Sequence, residues 1–381
     1  MEKAIKKGLL ILVFFLLLLP LLQQNVFFID CGGLQGYYTN ASEAKLSVKN
    51  WFEDSLQLQE TDFLNDHFGL RPYSIRLNGQ LDYTLFRKID YGGVILGSDN
   101  CLYYSNYIDA YYGRDYIGYE PLHEQTRKLK ALQDTFASMG KLLVAVYAPC
   151  KAWFYPEHIP AYMQSPIRAA NNYQTCVRIG DSLGVKQIDL NKWYRSLKDT
   201  SKEVLYPKWG IHWSNYGSIL GMDTIIRYIE QAKHIHMPHP AWTKVVHTTE
   251  ARDPDRDMGN TMNLLVYPTT DVLCYPALYY KADSTPTKPN LIFIGDSYSV
   301  NFYKTGVIQG ISSKWQLWFV FKNVLDSANC NGWDYPHIES YDWQSEMKKA
   351  DCIVLLNTAK NANILGNGFI QAAYAYYFPG K

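Results

Sequence analysis

The residues best placed to do chemistry are Ile294-Gly295-Asp296-Ser297-Tyr298-Ser299, which directly follow the apolar run Leu291-Ile292-Phe293. An apolar run ending in Gly-Asp-Ser predicts a strand that stops at a tight turn, with a helix behind the serine. Such a turn lifts a hydroxyl out of the sheet and aims helix N-terminal N–H groups at whatever it attacks. A serine hydroxyl is a weak nucleophile at neutral pH and needs a base within hydrogen-bond reach. Gly210-Ile211-His212-Trp213-Ser214 supplies the best base candidate among nine histidines. Ser297 and His212 together point to acyl-transfer or ester chemistry.

These residues need a scaffold, and the pattern around them provides one. Lys141 to Ala148, Lys186 to Leu190, Leu291 to Ile294, Trp315 to Val320 and Cys352 to Leu356 read as buried strands. Helical patterns intervene at Leu122 to Met139, Asn171 to Leu183 and Ser214 to Ala232, with Ser214 placed to cap the last. This alternation predicts an α/β fold, a mostly parallel sheet with helices on both faces. A hairpin is expected at Val94-Ile95-Leu96 and Leu102-Tyr103-Tyr104, helix over Val48 to Lys88 broken near Gly69-Leu70-Arg71-Pro72, and a weakly patterned stretch from His234 to Pro289.

The N-terminus carries an address. Lys3, Lys6 and Lys7 precede an uncharged stretch from Gly8 to Ile29, long enough to span a bilayer with some tilt. No small-x-small cleavage site follows, so an uncleaved signal anchor is favoured over a cleaved signal peptide. The lysines keep that end in the cytoplasm and export the rest, which implies a single-pass inner-membrane protein with a periplasmic body. The expected organisation is an anchor over 1–30, a linker over 31–50 and one domain over 51–381. With 37 basic and 36 acidic side chains the net charge is +1, which argues against nucleic acid as a partner. Seven scattered cysteines form no C-x-x-C pair; Cys150 and Cys352 are expected as buried thiols, with room for one or two bridges elsewhere. The 31 tyrosines serve either core packing or a groove that stacks on sugar rings.

The order of motifs resembles the SGNH-hydrolase-like domain of the alginate O-acetylation proteins of the AlgJ/AlgX type. The similarity rests on Ile95 to Tyr104, Ala148 to Glu157, Tyr206 to Gly217 and Gly295 to Ser299, and covers the chain from about residue 50 onward. The histidine motif precedes the serine, the permuted order of that family. The resemblance implies an O-acetyltransferase acting on an envelope or exported polysaccharide, with no cofactor. Its acetyl group would come from a membrane acyltransferase of the MBOAT type. Ser297 would carry the acetyl group and His212 would be the base, with Lys151 and Tyr298 as candidate substrate-binding residues. For Lys151, after a strand end, a surface salt bridge is the competing reading.

One position departs from the family: its aspartate two residues before the histidine is Gly210 here. Either another carboxylate orients the imidazole, or the site runs as a slow dyad, or catalysis has been lost in favour of glycan binding or acyltransferase docking. A carbohydrate esterase is a further alternative. Asp199, Glu203 and Asp223 are the acids nearest in sequence, and none is singled out. Asp253, Asp255 and Asp257 alternate like calcium-loop ligands, but Met258 stands where the turn glycine belongs, so a solvated acidic loop is expected. His234, His236 and His239 are read the same way, as a solvated loop rather than a metal cluster.

Overall fold

Strands buried on both faces need apolar residues at successive positions, and three segments meet that demand. The computed structural model describes residues 2–26, 29–36, 39–53, 55–89, 92–269, 271–282, 285–327 and 335–380. Its strands are Val94–Leu96 (β1), Leu102–Tyr104 (β2), Leu142–Ala148 (β3), Gln187–Asp189 (β4), His239–Thr248 (β5), Leu273–Lys281 (β6), Leu291–Gly295 (β7), Trp315–Phe319 (β8), Asn323–Asp326 (β9) and Cys352–Thr358 (β10). Six of them form the central sheet in the order β4-β3-β10-β7-β8-β9. All neighbours are parallel except the edge strand β9, which turns back on β8.

The pleat sends alternate residues to opposite faces. Leu143, Ala145 and Tyr147 of β3 join one core, with Ile292 and Ile294 of β7 and Ile353 and Leu355 of β10. Leu142, Val144 and Val146 join the other, with Leu291, Phe293, Val354 and Leu356. Helices Tyr119–Ser138 (α1), Asn172–Leu183 (α2) and Phe369–Tyr377 (α5) cover the first face. Helices Asn215–Lys233 (α3) and Ser297–Lys304 (α4) cover the second. The expected strands, sheet-covering helices and first hairpin are present within a few residues of their predicted ends, and the segment 48–88 is helical in three pieces, Val48–Phe52, Ser55–His67 and Arg71–Phe86.

One feature differs from expectation. The stretch from His234 to Pro289 contains the antiparallel pair β5–β6. β5 has no buried residue, and each strand carries a proline, Pro240 and Pro276, which argues against a ladder strand, so the apolar run of β6 alone does not announce the pair. The chain also divides into two compact units, residues 1–92 with 259–268, and residues 93–258 with 269–381. The six-stranded sheet lies wholly in the second unit. The helices Ser55–His67 and Arg71–Phe86 belong to the other unit.

That first unit also holds the helix Glu2–Val26, with mean hydropathy 2.4, long and apolar enough by length and composition to cross a membrane. Within it, Asn263 exchanges two hydrogen bonds with the Gln35 backbone, at 2.7 and 2.9 Å. Cys150 and Cys352 are buried, as expected, and none of the six described cysteines is in a disulfide; Cys330 lies outside the described residues.

Candidate functional site

The Ser297 turn is built by one glycine and one aspartate. Gly295 ends β7 opposite Leu356 of β10, and a Cβ there would lie 1.7 Å from the Leu356 carbonyl oxygen. Only glycine fits. Asp296 then caps α4 by accepting from the Tyr298 N–H at 3.2 Å. Its second oxygen accepts from the Thr358 N–H at 2.8 Å and from Asn361 Nδ2 at 2.9 Å. These bonds tie the serine turn to the end of β10. Burial pushes the Asp296 carboxyl up, and the three donors pull it back. Ser297 opens α4, so its N–H sits at the positive end of the helix.

His212 lies on the segment before α3, which Ser214 caps as expected, its Oγ accepting from the Gly217 N–H at 2.8 Å. His212 Nε2 is 2.7 Å from Ser297 Oγ. On the other side of the ring, Nδ1 is 2.5 Å from Asp257 Oδ2. Serine, imidazole and carboxylate therefore form one continuous relay. The side chains of His212 and Asp257 are 12% and 23% exposed, so the relay is largely shielded from water. Asp257 Oδ1 accepts from the Ile211 N–H at 2.8 Å and from its neighbour Met258 at 2.7 Å. Burial alone would raise the Asp257 carboxyl, but the charge and hydrogen bond of His212 and these N–H donors hold it below the usual carboxylate range.

The carboxylate that meets the imidazole thus comes from the segment 253–257. The structure corrects the expectation of a solvated acidic loop there: Asp255 is buried, with Oδ1 accepting from the Asn215 N–H at 2.9 Å. It also explains Gly210. A Cβ at that position would lie 2.8 Å from Pro207 Cγ and 2.9 Å from the Asp255 carbonyl oxygen. The segment that delivers Asp257 occupies the space a side chain at 210 would need. Neither Glu203 nor Asp223 orients the imidazole: Glu203 pairs with His247 and Asp223 with His239. His239 is not in a solvated loop, since Asp223 and Glu230 of α3 grip its two ring nitrogens at 2.6 and 3.0 Å.

Both candidate substrate-binding residues are buried. Lys151 is fully buried, and its Nζ donates to the carbonyls of Lys208 and Gly210, both at 2.6 Å. Burial pulls its pKa down. Tyr298 is also fully buried, donating to the Ile211 carbonyl at 2.5 Å and packing edge-on against the His212 ring. Tyr206 reaches the same carbonyl at 2.5 Å. All three side chains hydrogen-bond the backbone just before His212. Lys151→Met is expected to destabilise the fold by about 2 kcal/mol, because two buried carbonyls lose their donor while relief of ammonium desolvation offsets part of that loss. The His212 segment loosens with it, so ester hydrolysis should fall about tenfold, on the order of 1.4 kcal/mol of barrier. Urea unfolding and an esterase assay on the same sample check both halves.

Asp255 predicts a pH effect on stability. Burial pushes its carboxyl up to about 7 from an ordinary value of 3.8, with the bonds from Asn215 and Tyr275 opposing. Between those values the folded state keeps a proton that the unfolded chain has lost. This favourable contribution is complete below 3.8 and disappears as pH rises through about 7, a loss on the order of 4 kcal/mol. Asp255→Asn keeps the acceptor for Asn215 and has no proton to lose. Urea midpoints at pH 4 and pH 8 should converge in that variant and diverge in the wild type.

Beside Ser297 and His212 opens a cavity of about 230 Å³ whose walls include Val300, Phe319, Leu325 and Tyr335. Asn301, one turn beyond Ser297, backs it; its amide nitrogen is buried without a hydrogen-bond partner among the described residues. Residues 94–305, more than half of the chain, match the sequence model of the SGNH hydrolase-like domain of the acetyltransferase AlgX. The chain belongs to this family.

Solved structures similar to the AlgX-family chain include the O-acetyltransferase domain of Pseudomonas putida AlgJ, at 16% identity and a TM-score of 0.48, over 71% of this chain and 92% of that one. Pseudomonas aeruginosa AlgX is similar at 13% identity and a TM-score of 0.43, over 73% and 67%. Bacillus cereus PatB1 follows at 12% and 0.38, over 64% and 91%. Among curated protein sequences, none matches.

Proposed function

We propose that this chain transfers an acetyl group to a hydroxyl of an envelope or exported polysaccharide through an acetyl-Ser297 intermediate. The observation that carries this reading is the Ser297–His212–Asp257 relay in a chain of the AlgX family. In the first half-reaction Ser297 Oγ attacks the donor's carbonyl carbon while His212 Nε2 takes the hydroxyl proton. The oxyanion is met by the Ser297 N–H at the start of α4, and Asn301 offers a further amide donor. Collapse of the intermediate expels the donor's leaving group, which receives the proton from His212. In the second half a sugar hydroxyl gives its proton to His212, attacks the acetyl carbonyl and releases Ser297, to which His212 returns the proton. Asp257 holds the ring so that Nε2 faces the serine, and it stabilises the imidazolium in both halves.

The apolar cavity suits the acyl group, and its size would accept one somewhat larger than acetyl. The Glu2–Val26 helix, as a single-pass inner-membrane anchor, would hold the site at the periplasmic surface, near an MBOAT-type donor in the bilayer. Loss of catalysis is disfavoured because Asp257 stands where the absent acid would act.

Intact-mass spectrometry of the full chain in detergent, after incubation with p-nitrophenyl acetate, tests the reading. The expected result is a gain of one acetyl group or release of acetate, absent in Ser297→Ala, with faster turnover when a polysaccharide acceptor is added. Well-folded protein that forms no adduct and releases no acetate would overturn it.

A further inference from the structure

Away from the relay, three side chains with metal-ligating atoms converge. Glu203, His247 and Cys274 each offer one ligand atom, and these atoms lie within 4.8 Å of one another. His247 and Cys274 are directly paired across β5 and β6, next to the last pair before the strands part at Thr248 and Leu273. Glu203 reaches them from the segment that leads into His212, and His247 Nε2 lies 3.0 Å from both of its oxygens. Cys274 is buried while His247 is about half exposed, so the group has a dry floor and an open side.

We propose that Glu203, His247 and Cys274 bind a divalent transition-metal ion of the zinc class. A thiolate, an imidazole and a carboxylate together select such an ion over calcium or magnesium, which prefer oxygen alone. Bond lengths of about 2.0–2.3 Å place tetrahedral ligand atoms roughly 3.3–3.7 Å apart. The present spacing needs an adjustment of only about 1 Å, within reach of side-chain rotation. Three protein ligands leave a fourth position for water on the exposed side. On binding, the Cys274 thiol gives its proton to solvent and the sulfur bonds the metal.

The position gives the ion a consequence for the relay. β5 and β6 form the neck of the loop that contains Asp257, and Glu203 sits nine residues before His212. Val204 and Leu205, next along, accept from the Ser214 hydroxyl and N–H at 2.5 and 2.9 Å. A metal at this point ties the chain that carries the base to the neck of the loop that carries its acid. The metal site itself does not rest on the acyl-transfer reading.

The test uses the full chain in detergent, stripped with a chelator and titrated with zinc, and in parallel with cobalt. One equivalent of zinc should bind, and cobalt should give a thiolate charge-transfer band in the near ultraviolet. Cys274→Ser should abolish that band; His247→Ala, at a half-exposed position that tolerates truncation, should weaken zinc affinity on the order of tenfold or more. Because the band requires a thiolate, adventitious binding at His234 or His236 cannot imitate it. Hydrogen exchange of residues 249–258 should slow when zinc is bound. No band, together with equal zinc uptake by wild type and His247→Ala, would overturn the site. Binding with unchanged exchange would overturn the tie between the two segments.

Discussion

Replacing Asp257 with asparagine is expected to lower turnover of p-nitrophenyl acetate by about 10³- to 10⁴-fold with the fold intact. The size follows from which way the new amide must face. Asp257 Oδ1 accepts from two backbone N–H groups, those of Ile211 and Met258, and an asparagine keeps its carbonyl oxygen there. Its NH₂ is then left pointing at His212 Nδ1. That nitrogen must become the acceptor, which moves the ring proton to Nε2, the atom that has to take the proton of Ser297. The base is blocked by its own tautomer, and the imidazolium also loses its counter-charge. Adding Gly210→Asp, which places an acid two residues before the histidine, should not rescue the variant, since a Cβ at 210 meets Pro207 and the Asp255 backbone. Activity within tenfold of wild type in Asp257→Asn would show that the relay ends at the histidine.

Gly295→Ala should prevent the sheet domain from folding stably, at a cost on the order of 4 kcal/mol or more. The added methyl would lie 1.7 Å from the Leu356 carbonyl oxygen and 2.7 Å from its carbon. Both atoms are backbone, on a strand with neighbours on either side, so no rotamer change makes room. Either β7 and β10 separate, which breaks parallel ladder bonds at the centre of the sheet, or the turn shifts and takes Asp296 away from Thr358 and Asn361. Soluble yield and urea unfolding measure the loss. A variant with wild-type stability would contradict the close approach of these two strands.

Parts of this molecule could be read locally because their physics is local. β3, β7 and β10 are apolar at successive positions, so each must be covered on both faces, and helices between them force parallel pairing. The Gly-Asp-Ser turn likewise declares itself where an apolar strand meets a helix start, and Ser214 announces the cap of α3. β5 lacks that signature because none of its residues is buried, and Pro276 interrupts the apolar run of β6.

The roles of individual polar residues follow a different logic. Lys151 looks like a surface cation after a strand, yet its ammonium is buried against two carbonyls that belong to the segment around Gly210. Asp257 looks like one of three solvated acids in a loop. The one available signal was the apolar company of that run, since Pro254 and Met258 are buried beside it.

The sequence by itself determined the doubly covered parallel sheet, the serine turn, the histidine that serves it and the apolar N-terminal helix, since hydrophobic period, capping and turn chemistry act over a few residues. Only the tertiary structure decided that Asp257 completes the relay and that Lys151 and Tyr298 brace the backbone. A carboxylate's partner depends on which distant segment folds against it, and Asp257 meets His212 across 45 positions over which spacing carries no information.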